Sequence, residues 1–174
     1  MLRRIYDWIM ALAQGPRALP ALAAVAFAES SFFPIPPDAM IIPMVLAEPR
    51  RAWWIAGVAT SASVIGGIAG YAIGYYLYET VGQWLINLYG HQDGVDAFRA
   101  AYNKWGLWII LIKGLTPIPY KIVTIASGVA GFSFSAFVLA SILTRGLRFF
   151  LVAGLLRLYG APIRDFIERR LTLV

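Results

Sequence analysis

A chain of 174 residues that is 60% hydrophobic, 14% charged and has a mean hydropathy of +0.69 is too apolar for a soluble globular domain, and its length suits one compact membrane domain. With no cysteine and a single histidine, His91, it offers no disulfide, no thiolate chemistry and no clustered metal ligands, so neither a metal nor a cofactor is expected. The net charge of +6 gathers near the chain ends, which suits anionic lipid headgroups rather than nucleic acid.

In residues 1–17, Leu2, Ile5, Trp8, Ile9 and Leu12 recur at helical spacing while Arg3, Arg4 and Asp7 lie elsewhere on the wheel. This reads as an interfacial amphipathic helix, without the clean apolar core and small-residue cleavage site of a signal peptide. Residues 18–33 follow as an apolar arm that carries Glu29. Such an arm reaches ~24 Å, short of the ~30 Å hydrocarbon core. Pro34, Pro36 and Pro37 break it, and a shorter arm runs from Asp38 to Ala47. Residues 18–47 are therefore expected to form a re-entrant hairpin.

Residues 52–78 contain no charge, have Trp53, Trp54, Tyr75, Tyr76 and Tyr78 at their ends, and read as a full span. Within them Ala62, Gly66, Gly70 and Gly74 form a small-residue stripe suited to close helix packing. Residues 79–104, with Glu79, His91, Asp93, Asp96, Arg99 and Lys104, read as an exposed, partly helical connector. Residues 105–130, broken at Pro117 and Pro119, give a second hairpin, and residues 136–158, with Arg145 and Arg148, a second span. Residues 159–174 form a basic tail. Two hairpins and two spans put both termini on one face, with Arg3, Arg4, Arg17, Arg50, Arg51 and the tail, so that face is read as cytoplasmic.

The two hairpins are related. A fixed offset of 83 places Pro34-Ile35-Pro36 on Pro117-Ile118-Pro119, Asp38 on Lys121, Ser30 on Lys113 and Ala47 on Ala130. The fold expected is all-α, an inverted repeat of hairpin plus span whose proline tips meet within the membrane. Paired, interrupted apolar segments at matching places in two halves point to an intramembrane binding site.

Six ionisable side chains remain at that depth: Glu29, Asp38, Lys113, Lys121, Arg145 and Arg148. Each costs at least ~2.5 kcal/mol at a helix centre on insertion scales. Internal salt bridging is one explanation, but the surplus of cations over acids matches an anionic ligand such as a phosphate. Asp38, just after Pro37, can cap its helix, and Lys113 suits a helix C-terminus. Glu29 and Lys121 oppose their own helix dipoles and need specific partners, so their removal is expected to harm function more than fold. Arg145 and Arg148, three apart, share a helix face and can grip phosphate oxygens bidentately. Glu29 and Asp38 are the candidates for proton coupling.

The run from Glu29 through Pro34, Pro36 and Pro37 to Asp38, with Lys113 through Pro117 and Pro119 to Lys121 and the following Ala126-Ser127-Gly128, resembles the DedA family, within the SNARE-associated Golgi protein or VTT superfamily. The Arg145-Gly146-Leu147-Arg148-Phe149-Phe150 run looks most like its YqaA-like branch. The resemblance covers roughly residues 18–158 and implies re-entrant hairpins in inverted repeat and movement of lipids across a bilayer, in several bacterial members driven by protons. It matches the family's acidic positions to Glu29 and Asp38 and its basic positions, usually arginine, to Lys113 and Lys121.

The function expected is a flippase of the bacterial inner membrane for an anionic phospho-lipid, such as undecaprenyl phosphate or a phospholipid. The headgroup would be held by Lys113, Lys121, Arg145 and Arg148, with no catalytic residue and with proton coupling through Glu29 or Asp38. Alternatives are an energy-independent scramblase, a proton-coupled small-ion antiporter and a structural membrane module. An enzyme is disfavoured by the absence of a Ser–His–Asp or Cys–His set.

Overall fold

The computed structural model describes residues 15–32, 36–82, 92–115 and 120–171. Among them every regular element is a helix: α1 Ala18–Ser31, α2 Asp38–Ala47, α3 Ala52–Leu77, α4 Gln92–Leu115, α5 Tyr120–Val129 and α6 Phe134–Leu171. A short 3-10 turn, Pro49–Arg51, links α2 to α3, and a π-helical turn, Tyr78–Gly82, ends α3. The expected interfacial helix, His91 and the tip residues Pro34, Pro117 and Pro119 lie outside the described residues.

The element lengths follow the repeat. α2 and α5 have ten residues each, and α1 has 14. At 1.5 Å per residue these are ~15 and ~21 Å long, too short to cross the ~30 Å core. Among the described residues two segments are long and apolar enough to cross: Pro49–Thr80 and Phe134–Gly160. Pro37, with φ of −64°, is preset for the first turn of α2, and its carbonyl accepts from Met40 and Ile41 N–H at 2.9 Å each.

Two boundaries differ from the sequence reading. The second half of the connector is not separate from the second hairpin, because α4 runs unbroken from Gln92 to Leu115. Its apolar residues Val95, Phe98, Tyr102, Trp105 and Ile109 keep helical spacing through the charges, and no proline interrupts them. The basic tail, in turn, continues α6 as far as Leu171, despite Pro162.

α3 is the central element and packs against α1, α2, α5 and α6. Lipid is as apolar as these side chains, so close packing rather than exclusion of water must hold the helices together. The glycine stripe supplies that closeness. A Cβ on Gly66 would fall 2.3 Å from Phe27 O of α1, and one on Gly74 would fall 2.1 Å from Ile125 O of α5. α3 is thus clamped between the two interrupted helices. The core divides in two. Leu22, Ile41, Val45, Ile55 and Phe149 join α1, α2, α3 and the middle of α6. Tyr102, Ile110, Tyr120, Val123 and Phe137 join α4, α5 and the start of α6. Arg145 follows Phe137 and precedes Phe149 on α6, so it stands where the two cores meet.

Candidate functional site

The last turn of α1 and the first turn of α5 leave backbone groups unpaired, as all helix ends do. Here each end is completed by the other helix. The Tyr120 backbone N–H, at the start of α5, donates to Glu29 Oε1 at 3.0 Å. In return, Thr124 Oγ1 donates to Ser30 O at 2.9 Å and Lys121 Nζ to Phe32 O at 3.4 Å, both at the end of α1. Glu29 and Lys121 therefore oppose the dipole of their own helix but suit that of the opposite one. The partner each required is a helix terminus in the other half of the repeat.

Glu29 also anchors a closed ring of hydrogen bonds. Arg145 Nη2 donates to Glu29 Oε2 at 2.6 Å, and Arg145 Nε to Ser63 Oγ at 2.7 Å. Ser63 and Ser30 share a hydrogen bond of 2.6 Å, and Ser30 Oγ donates to Glu29 Oε2 at 3.2 Å. Because Ser63 accepts from Arg145 and Ser30 donates to Glu29, the hydroxyl of Ser63 donates to Ser30. Both routes from Arg145, the direct one and the one through Ser63 and Ser30, end on the Glu29 carboxylate. The guanidinium carbon of Arg145 also lies over the rings of Tyr120 and Phe149, 4.8 and 4.6 Å from their centroids. Tyr120 is fixed in turn by a 2.7 Å hydrogen bond between its hydroxyl and Ser141. The Arg145 and Glu29 side chains are only 2% and 8% exposed.

One turn further along α6, Arg148 Nη2 donates to Asp38 Oδ2 in a second ion pair. This pair is more open, with Arg148 and Asp38 side chains 17% and 22% exposed. Asp38 Oδ1 is buried and has no hydrogen-bond partner among the described residues, so the helix cap expected of Asp38 is not made through that oxygen.

The structure thus brings Glu29, Asp38, Lys121, Arg145 and Arg148 to the facing ends of α1, α2 and α5. Lys113 is exposed in the last turn of α4, where its charge suits the C-terminal dipole, and it is not a member of the ring. Both acids are matched by arginines. Lys121 instead borders an apolar groove of about 540 Å³ lined also by Phe32, Phe98, Ile122, Ile125 and Val129. Ser30, Ser63, Tyr120 and Thr124 are site residues that sequence reasoning missed. The signal for Ser63 was available: it lies four residues before Gly67 and seven before Gly70, on the packed face of an otherwise apolar span. No group of three or more His, Cys, Asp or Glu residues is placed to hold a metal among the described residues.

Two apolar helices of membrane length packed around shorter ones that exchange charged end-groups fit a membrane protein with a buried polar centre. The chain belongs to the VTT-domain family, the superfamily of DedA and SNARE-associated proteins, whose profile matches residues 33–158. It is similar to an uncharacterised protein of Haemophilus influenzae, 37% identical over 168 residues that cover 94% of this chain and 87% of the relative. An uncharacterised protein of Histophilus somni is 39% identical over the same shares of each chain. An archaeal relative, an uncharacterised protein of Methanocaldococcus jannaschii, is 25% identical over 71% of this chain and 74% of its own. No solved structure matches.

Proposed function

We propose that this protein is a lipid flippase of a bacterial cytoplasmic membrane, from the YqaA-like branch of its family, that moves an anionic phospho-lipid. The hairpins are re-entrant and inverted, both termini are cytoplasmic, and the headgroup passes where the ends of α1, α2 and α5 converge. The observation that carries the reading is Lys121. Among the described residues it faces no carboxylate, and its ammonium stands between two helix ends at the edge of an apolar groove. A cation beside an apolar groove of ligand size suits a molecule with an anionic head and a hydrocarbon tail. A small inorganic ion would have no use for the groove, so the antiporter reading is the weaker one.

Protein reconstituted into phosphatidylcholine vesicles, with a labelled polyprenyl phosphate or phosphatidic acid in one leaflet, tests the proposal. Exchange of the labelled lipid between leaflets is expected, faster when a pH gradient is imposed. Exchange at the same rate without a gradient would make the protein a scramblase. Rates equal to those of empty vesicles would remove lipid movement altogether.

A further inference from the structure

The two segments of membrane length, Pro49–Thr80 and Phe134–Gly160, meet where the first begins and the second finishes. The turn Pro49–Arg51 packs against α6 there, and a Cβ on Gly160 would stand 3.1 Å from Leu46 Cδ2. Arg50 and Arg157 therefore lie within a turn of the ends of both segments, at the level where a bilayer places its headgroups. Both are exposed, and neither has a carboxylate within ion-pair reach among the described residues. Glu48, beside Arg50 in the chain, is already held by Arg51 at 2.9 Å. Arg157 stands nine residues beyond Arg148 on α6. That is ~13 Å along the helix, so these arginines are no part of the polar centre.

Trp53 joins the two arginines. Its ring stacks on Phe150 with centroids 5.9 Å apart, and the guanidinium carbon of Arg157 lies 5.7 Å from its centroid. Phe150, Gly154 and Arg157 share one face of α6. Glycine at 154 leaves the indole its place, since a Cβ there would stand 3.2 Å from the ring. Trp53 nevertheless remains exposed. One turn further into α3, on nearly the same face, the seam between α3 and α6 opens. A Cβ on Gly57 would meet nothing within 4 Å. The seam closes again at Thr60, whose Cγ2 is 3.7 Å from the position of a Cβ on Gly146. A cationic rim, an aromatic step and an apolar recess thus follow one another down the membrane face.

We propose that this seam binds one anionic phospholipid of the surrounding leaflet as a resident of the fold. Its phosphodiester lies between Arg50 and Arg157, whose guanidinium groups can each grip phosphate oxygens bidentately. One acyl chain passes Trp53 and Phe150 and fills the recess at Gly57. A headgroup that carries its own ammonium brings a third cation to the two guanidinium groups, so the site favours headgroups without one. The bound lipid braces the start of α3 against α6. It is separate from the groove beside Lys121 and does not depend on the transport reading.

Titration of the full-length protein in neutral detergent with phosphatidylglycerol or phosphatidylcholine of the same chains tests the site, with unfolding followed by tryptophan fluorescence. Phosphatidylglycerol should raise the melting temperature saturably, by roughly 5–10 °C when it stands a hundredfold above its Kd. Phosphatidylcholine should leave it nearly unchanged. The double variant Arg50→Gln with Arg157→Gln should melt within about 4 °C of the wild type without lipid, because both charges are exposed, and should lose the shift. Lys104→Gln, which removes an exposed charge from α4, should keep the shift, and so should Lys121→Ala. Gly57→Leu fills the recess and should at least halve it. Equal shifts from the two lipids in the wild type, or a shift that survives in the double arginine variant, overturns the site. A shift lost equally in Lys104→Gln overturns it as well, in favour of general attraction between a basic protein and an anionic lipid. Loss in Lys121→Ala alone moves the bound lipid to the groove beside α5, which overturns the seam and leaves the transport reading in place. An undiminished shift in Gly57→Leu overturns the placement of the chain.

Discussion

Glu29→Gln removes one charge and almost nothing else from the side chain's shape. The amide oxygen can still accept from Tyr120 N–H, but the amide nitrogen then points donors at Arg145 and Ser30. The guanidinium, on a side chain 2% exposed and packed against two aromatic rings, is left without its counter-ion. Breaking a buried pair from one side costs ~3–5 kcal/mol. For a chain of this size, at ~2–4 °C per kcal/mol, that is a fall in melting temperature of roughly 6–20 °C. Thermal unfolding in detergent, followed by tryptophan fluorescence, reads it directly. The double substitution Glu29→Leu with Arg145→Met should recover much of the loss, because no buried charge is then left alone. A Glu29→Gln protein that melts within about 2 °C of the wild type would refute the reasoning, since a structural pair cannot lose one partner at so small a cost.

Three further outcomes are expected. Gly74→Ala sets a methyl group against the backbone of α5 and should destabilise by ~1–3 kcal/mol as overpacking does, whereas Gly57→Ala, with open space around it, should be neutral or stabilising by up to ~1 kcal/mol; paired melting curves compare them. Lys121→Ala should abolish lipid exchange in vesicles, and Lys121→Arg separates a need for positive charge alone, which it would satisfy, from a pocket fitted to an ammonium, which it would not. Cysteines placed at Asp93 and Glu168 should label from outside intact cells only at position 93; the reverse pattern would invert the proposed topology.

Much of this was legible in the residues. The offset of 83 anticipated two ten-residue helices after two breaks, and apolar length anticipated the two long segments. The six charged positions were visible because each is costly in an apolar stretch. Their pairing was not, because it depends on which helix ends meet. Glu29 against its own dipole was an anomaly that only the N-terminus of α5 resolves, and a backbone N–H leaves no mark in a sequence. Ser63 was hidden for a related reason: in a stripe of small residues a hydroxyl reads as packing until Arg145 is placed beside it. The expectation that loss of Glu29 would spare the fold followed from taking it as a ligand-facing acid. Its burial and three donors shift the expected cost to stability. The fusion of connector and arm into α4 was obscured by charges that lower hydropathy without breaking the helix.

The exchange of end-groups between α1 and α5 also has a consequence in time. Glu29 is synthesised 91 residues before Tyr120 and 116 before Arg145. At ~5–20 residues per second, its carboxylate waits roughly 6–23 s for the guanidinium that will hold it. Throughout that interval the end of α1 also lacks Lys121 and Thr124. A newly made first half thus carries an unmatched acid and an open helix end. On the proposed re-entrant topology both would face the bilayer centre, and the half-made protein would have to be held in a wet or protein-lined place until the second half arrives.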